Sequence, residues 1–98
     1  MKATEKELAE AWVDDLGAKY SQDHSKLLQV PQGGISFNIL AGTTTIADEV
    51  FWGDKELQEI DLPLTLTSIG RGAFADCNRL KSISLPPLVT RIESYAFD

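Results

Sequence analysis

Apolar residues recur every 23 positions along the last two-thirds of the chain, and this period is the strongest constraint on its fold. Several columns of equivalent residues keep the spacing without any insertion. They include Phe37, Ile60 and Ile83; Ile39, Leu62 and Leu85; Ile46, Ile69 and Ile92; and Phe51, Phe74 and Phe97. A fixed period in the twenties predicts a solenoid, in which each unit buries its apolar face only by stacking on a neighbour.

The period divides the chain into repeats at 33–55, 56–78 and 79–98, the last of them incomplete. Apolar and polar residues alternate early in each repeat, which is typical of a strand, and Pro63 or Pro86 ends it because proline cannot donate to a ladder. A second short segment carries the Ile46, Ile69 and Ile92 column. A small residue and a phenylalanine then predict a short helical turn that packs inward.

The N-terminal segment, residues 1–27, reads differently from the repeats. Thr4 and Glu7 have the spacing of a capping box, and an apolar stripe follows, so residues 4–19 are predicted to be helical. Residues 20–27 are polar and are interpreted as a connector. We expect the helix to cap the first repeat with Trp12, Val13 and Leu16.

Composition excludes several classes of function. The formal net charge is −6, and the nine basic residues are scattered, so nucleic acid is a poor partner. No apolar run is long enough to insert into a membrane. The N-terminus lacks the apolar stretch of a signal peptide, which leaves the compartment unknown.

No constellation of residues predicts catalysis, a metal site or a cofactor. Cys77 is the only cysteine, and the only histidine, His24, lies far from it in the polar connector. Asp14 and Asp15 are neighbours on the predicted helix and point about 100° apart, so their carboxylates do not converge. We interpret the chain as non-catalytic.

The repeats resemble the BspA-like, or Treponema-type, leucine-rich repeat. The second repeat carries the pattern at Leu57, Ile60, Leu62-Pro63, Thr67, Ile69-Gly70, Ala73-Phe74 and Cys77. The third carries it at Leu80, Ile83, Leu85-Pro86, Val89-Thr90, Ile92 and Ala96-Phe97. The first departs from it, with Gly34, Leu40 and Asp54 in place of leucine, proline and cysteine.

The resemblance implies an α/β fold: a short right-handed leucine-rich-repeat solenoid of stacked short parallel strands over residues 28–98, preceded by an N-terminal capping α-helix. The array is expected to begin near the Leu28 to Pro31 segment, which mimics the end of a repeat strand. The resemblance also implies protein binding or adhesion at a bacterial cell surface.

Two surfaces are candidate sites. The outward strand positions form a polar, mildly acidic face that we expect to bind a protein partner with basic residues: Ser36, Asn38, Glu59, Asp61, Ser82 and Ser84. The alternative is a structural role, in which the open C-terminal end around Ile92, Tyr95 and Phe97 stacks on another copy. A homo-oligomer would follow from the second hypothesis. Trp52 is either an outward aromatic or part of the cap.

Overall fold

The computed structural model describes residues 1–98, which form one short helix and two sheets. The helix is α1 (Glu5–Glu10). The strands are β1 (Trp12–Val13), β2 (Lys19–Tyr20), β3 (Lys26–Gln29), β4 (Ser36–Asn38), β5 (Thr45–Ile46), β6 (Glu59–Asp61), β7 (Ser68–Ile69) and β8 (Arg91–Ile92). The larger sheet has the order β1-β2-β3-β5-β7-β8, and β4 pairs with β6 in the smaller one.

Residues 23 positions apart lie opposite each other in neighbouring repeats. In the larger sheet, parallel pairing places Ile46 beside Ile69 and Ile69 beside Ile92. In the smaller sheet, Phe37 lies beside Ile60. The first two repeats therefore contribute one strand to each of the two sheets, the third repeat contributes one to the larger sheet, and the predicted short parallel strands are confirmed. Residues 82–84 of the third repeat form no strand, so the smaller sheet has two strands.

Turns follow strands β5 and β7 and lead to the next repeat, in place of the expected helical turns. The turns of neighbouring repeats stack on each other. The N–H of Phe51 donates to the carbonyl of Ala73 at 2.8 Å, and the N–H of Phe74 donates to that of Ala96 at 2.7 Å. The position two residues before each phenylalanine has positive φ: 64° at Glu49 and 62° at Gly72. That left-handed residue interrupts a right-handed helix and aims N–H groups at the neighbouring repeat.

The phenylalanines form a continuous stack through the core. The Phe51 and Phe74 rings are 5.1 Å apart and nearly parallel, and Phe74 and Phe97 are 5.4 Å apart. Phe37 meets Phe51 edge-on. Each ring therefore packs against its counterpart one repeat away, as the column predicts.

The N-terminal helix is much shorter than predicted. The capping box at Thr4 and Glu7 is present, but α1 ends at Glu10, and β1 and β2 form an antiparallel hairpin. The Asp14 carboxylate accepts hydrogen bonds from the N–H groups of Leu16 and Ala18, and Gly17 has φ of 89°. These residues make a turn, and a turn at this position ends any helix that would continue to residue 19.

The prediction for the capping residues was also wrong. Trp12, Val13 and Leu16 do not bury on the first repeat; Leu16 is 70% exposed. Tyr20 and Leu27, which lie in the predicted connector, are fully buried instead. Strand β3 pairs parallel with β5, and Leu27 lies opposite Ile46. The cap is therefore a strand with a hairpin behind it.

The segment around Leu28 belongs to the larger sheet. We expected Leu28 to Pro31 to mimic the first strand of a repeat, but Leu27 aligns with the Ile46 column of the second strand. A polar turn positions this strand: the Asp23 carboxylate accepts hydrogen bonds from Ser21 and Ser25, and His24 has φ of 64°.

The one helix is too short to cross a membrane.

Candidate functional site

The six predicted outward positions line one groove across the smaller sheet. This polar groove has a volume of about 360 Å³, and its walls are Ser36, Asn38, Glu59, Asp61, Ser82 and Ser84. Phe37 and Ile60 form its half-buried floor. Side chains alternate along β4 and β6, so the polar residues face outward while the apolar residue between them faces the core.

The groove carries negative charge that no cation neutralises. Glu59 and Asp61 are exposed on the same face of β6, and neither carboxylate makes an ion pair or a side-chain hydrogen bond. The four ion pairs of the molecule all lie elsewhere. Both carboxylates therefore keep their full capacity to accept hydrogen bonds from a ligand.

An apolar ledge, formed by Ile39, Ala41, Leu62 and Leu64, adjoins the groove. It borders a second depression of about 610 Å³ that shares Asn38 and Asp61 with the polar groove. Leu64 is 74% exposed, the largest exposed fraction among the big apolar side chains. This ledge could not be predicted from the repeat pattern, because the positions equivalent to Leu64 are Ala41 and Pro87, which form no column of large apolar residues.

The third repeat leaves its column residues more exposed than those of the first two repeats. Ile92 is 48% exposed, whereas Ile46 and Ile69 are fully buried. Phe97 is 41% exposed, whereas Phe74 is 2% exposed. Tyr95 is also exposed, and the Arg91 and Glu93 side chains form an ion pair beside Ile92.

Cys77, Asp54 and His24 make contacts within the fold and have structural roles. The Cys77 thiol is half-buried and donates to the carbonyl of Phe51 at 3.0 Å, and burial raises its pKa. Asp54, at the equivalent position, is buried and accepts from the N–H groups of Glu56 and Leu57. His24 stacks on Trp12 with ring centroids 4.2 Å apart.

Trp52 is an outward aromatic and not part of the cap. It is 46% exposed, and its ring lies over Gly72 of the next repeat. A Cβ on Gly72 would come within 2.4 Å of the Trp52 ring. Trp52 therefore joins two repeats on the outside, away from the polar groove.

The chain has no cluster of three or more metal-ligating side chains.

Parallel rungs at a 23-residue period, stacked turns and a phenylalanine core define a leucine-rich repeat solenoid. The family model of the BspA type leucine rich repeat region matches residues 35–98. The chain belongs to that family, and the resemblance found in the sequence is confirmed.

Two solved structures share the fold. The pneumococcal vaccine antigen PcpA is 29% identical with a TM-score of 0.74, over 82% of this chain and 20% of its own. A leucine-rich repeat protein from Eubacterium ventriosum is 27% identical with a TM-score of 0.76, over 85% of this chain and 23% of its own. The chain thus spans only about a fifth of each relative's length. No curated protein matches it.

Proposed function

We propose that the polar groove binds a protein partner that presents basic side chains to Glu59 and Asp61. The observation that carries the proposal is this pair of exposed carboxylates, free of ion pairs, in the middle of a groove of about 360 Å³. Complementary charge across an interface steers encounter and fixes register. Repeat scaffolds also commonly bind on an extended face of this kind.

The apolar ledge adds an anchor to this surface. Leu64 stands beside Asp61, so a partner segment with a basic residue next to an apolar one would satisfy both the carboxylate and the leucine. Burying an exposed leucine stabilises a complex by about 1.5–3 kcal/mol. The ledge would therefore supply affinity, and the carboxylates would supply selectivity for basic partners.

The proposal extends to adhesion at a bacterial cell surface, the setting that the family resemblance implies. One of the similar structures is a vaccine antigen, which supports that setting. In adhesion, the groove would contact a protein of the host or of another cell.

The experiment is a chemical-shift titration of the ¹⁵N-labelled chain with a peptide that alternates lysine and leucine. We expect shifts at the groove and ledge residues. Glu59→Lys/Asp61→Lys should weaken binding about tenfold or more, because two attractions become repulsions. The matched control is Glu10→Lys/Asp15→Lys, which changes the net charge of −6 by the same amount at exposed acidic residues outside the groove.

The control variant should bind as the parent does. Leu64→Ser should weaken binding to the lysine-leucine peptide but not to a lysine-serine peptide. An equal loss of peptide affinity in the two charge-reversed variants would mean that the peptide responds only to the net charge of the chain. That result, or shifts spread evenly over all acidic residues, would contradict the proposal.

A further inference from the structure

We propose that strand β4, at the edge of the smaller sheet, binds an extended segment of the basic partner as an added strand. This binding mode rests on the proposed function and specifies how the partner enters the polar groove. The partner segment makes backbone hydrogen bonds to β4 and carries a lysine or arginine at every second position.

One edge of β4 has no neighbouring strand. The carbonyl of Ile35 and the N–H of Ile39 both bond to β6. Successive residues of a strand direct their backbone groups to opposite sides, so Ser36 and Asn38 turn their N–H and C=O groups away from β6. The smaller sheet has only β4 and β6, and no strand receives these groups. Two donors and two acceptors are therefore available to an added strand.

The N-terminal segment protects only one end of this edge. Leu40 is the next residue that turns outward, and its N–H donates to the hydroxyl of the buried Tyr20 at 3.2 Å. Strands β1, β2 and β3 extend the larger sheet and not the smaller one. The polypeptide that directly precedes β4 is therefore present and leaves Ser36 and Asn38 open. Ile35, at the start of the edge, is 58% exposed.

The side chains along the edge match a strand with basic residues at alternate positions. Ser36 lies beside Glu59, and Asn38 lies beside Asp61. Partner residues added beside Ser36 and Asn38 extend these two rows on the groove face. The added strand then lies two strand spacings, each about 4.8 Å, from β6. A long basic side chain crosses the short side chains of β4 and meets a carboxylate of β6.

The charge of the chain favours a basic partner over a second copy as the occupant. Pairing of β4 with β4 of another copy would bring two acidic grooves together, on chains that each carry a net charge of −6. Juxtaposed like charges disfavour such a complex, whereas the unpaired carboxylates of Glu59 and Asp61 attract a basic strand.

The test is a chemical-shift titration of the ¹⁵N-labelled 98-residue chain with three peptides of alternating lysine and leucine. One is unmodified, one is N-methylated at its lysines, and one is N-methylated at its leucines. N-methylation removes a backbone donor and keeps the charge. Alternate N–H groups of a strand point to opposite sides, so only one of the two methylated peptides loses its bonds to β4.

We expect one methylated peptide to bind about tenfold or more weakly than the other, because it lacks two backbone hydrogen bonds. Weaker binding of the lysine-methylated peptide indicates antiparallel addition, and weaker binding of the leucine-methylated one indicates parallel addition. The unmodified peptide should also slow the hydrogen exchange of the Ser36 and Asn38 amides.

A pair of variants tests the same bonds from the side of the chain. Asn38→Pro and Asn38→Ala both remove the amide side chain, but only proline removes the backbone N–H. Proline is tolerated on an edge strand where the N–H faces solvent. Asn38→Pro should bind the unmodified peptide about two- to tenfold more weakly than Asn38→Ala. Circular dichroism would establish that both variants are folded.

Equal affinities of the two methylated peptides would overturn strand addition. If Glu59→Lys/Asp61→Lys still weakened binding in that case, the proposed function would stand without it. Binding that is insensitive to this charge reversal would overturn the proposed function and the added strand together. Shifts at Ser36 and Asn38 that grow with chain concentration, without peptide, would indicate a second copy at this edge and would also overturn the proposal.

Discussion

Replacing Phe74 with alanine should be among the most destabilising single changes in the molecule. Phe74 is 2% exposed and lies between two parallel rings, at 5.1 Å from Phe51 and 5.4 Å from Phe97. Phe→Ala in a core typically costs about 3–5 kcal/mol, and the two stacked contacts place Phe74 near about 4 kcal/mol. Domains of this size have total stabilities of about 5–15 kcal/mol, so the variant keeps only part of its stability.

Phe97→Ala is the matched control because the same side chain is removed from the same column. Phe97 is 41% exposed and has one stacking partner, so its loss leaves a depression open to water and not a cavity. We expect about 1–2 kcal/mol for this variant. Urea unfolding followed by far-ultraviolet circular dichroism gives both values from the midpoint and the slope. Equal values for the two variants would refute the idea that inter-repeat stacking dominates the core.

Three other changes test particular contacts. Gly72→Ala should cost more than about 1 kcal/mol, because Gly72 has φ of 62° and a Cβ would meet the Trp52 ring; Trp52→Ala in the same chain should restore part of the loss in thermal unfolding. Asp54→Ala should cost about 1–3 kcal/mol in urea unfolding, because it leaves two backbone N–H groups without their acceptor; a change below about 0.5 kcal/mol would contradict that role. Hydrogen bonds from Ser21 and Ser25 lower the pKa of Asp23 from 3.8 to about 2. This carboxylate therefore adds stability above pH 3.8 that is lost as the pH falls toward 2, and Asp23→Asn should flatten the pH dependence of stability in that window. An unchanged pH dependence in urea unfolding of the variant would contradict this role.

The alignment of the repeats could be predicted because residues one period apart come to lie beside each other when the repeats stack. Ile46, Ile69 and Ile92 align without insertion, and each pair of them lies opposite in a parallel ladder. The same regularity predicted which strand residues face outward. Groove residues on different repeats, such as Asn38 and Asp61, come together because one period separates them.

The N-terminal segment was not predictable from spacing alone. Trp12, Val13 and Leu16 fit one face of a helix, but the first two are also good strand formers, and Asp14 to Gly17 make a turn. Periodicity cannot distinguish these readings in a short segment. Pairing with β3, which lies in the part interpreted as a connector, decides the outcome.

The C-terminal repeat shows a second limit. Ser82 to Ser84 have the same alternation as β6 but form no strand, whereas β4 and β8 are strands with a neighbour on one side only, so the alternation alone does not specify the ladder. A sequence column specifies what a residue contacts only if the next repeat is present. The same reason leaves Ile92 half-exposed while its equivalents are buried.

The measurement that tests the stack most directly is amide hydrogen exchange, residue by residue, at a concentration where the chain is monomeric. The amides of Gly70 and Phe74 donate from one repeat to another, and the amide of Ala47 donates to Leu27 in the capping strand β3. These three amides should exchange slowest. The amide of Ile92, on the open edge, should exchange fast. An unbroken protected run across residues 11–19 would indicate the long helix that the sequence predicted. Uniform protection of the three repeats would contradict a stack in which only the first two repeats have a neighbour on both sides.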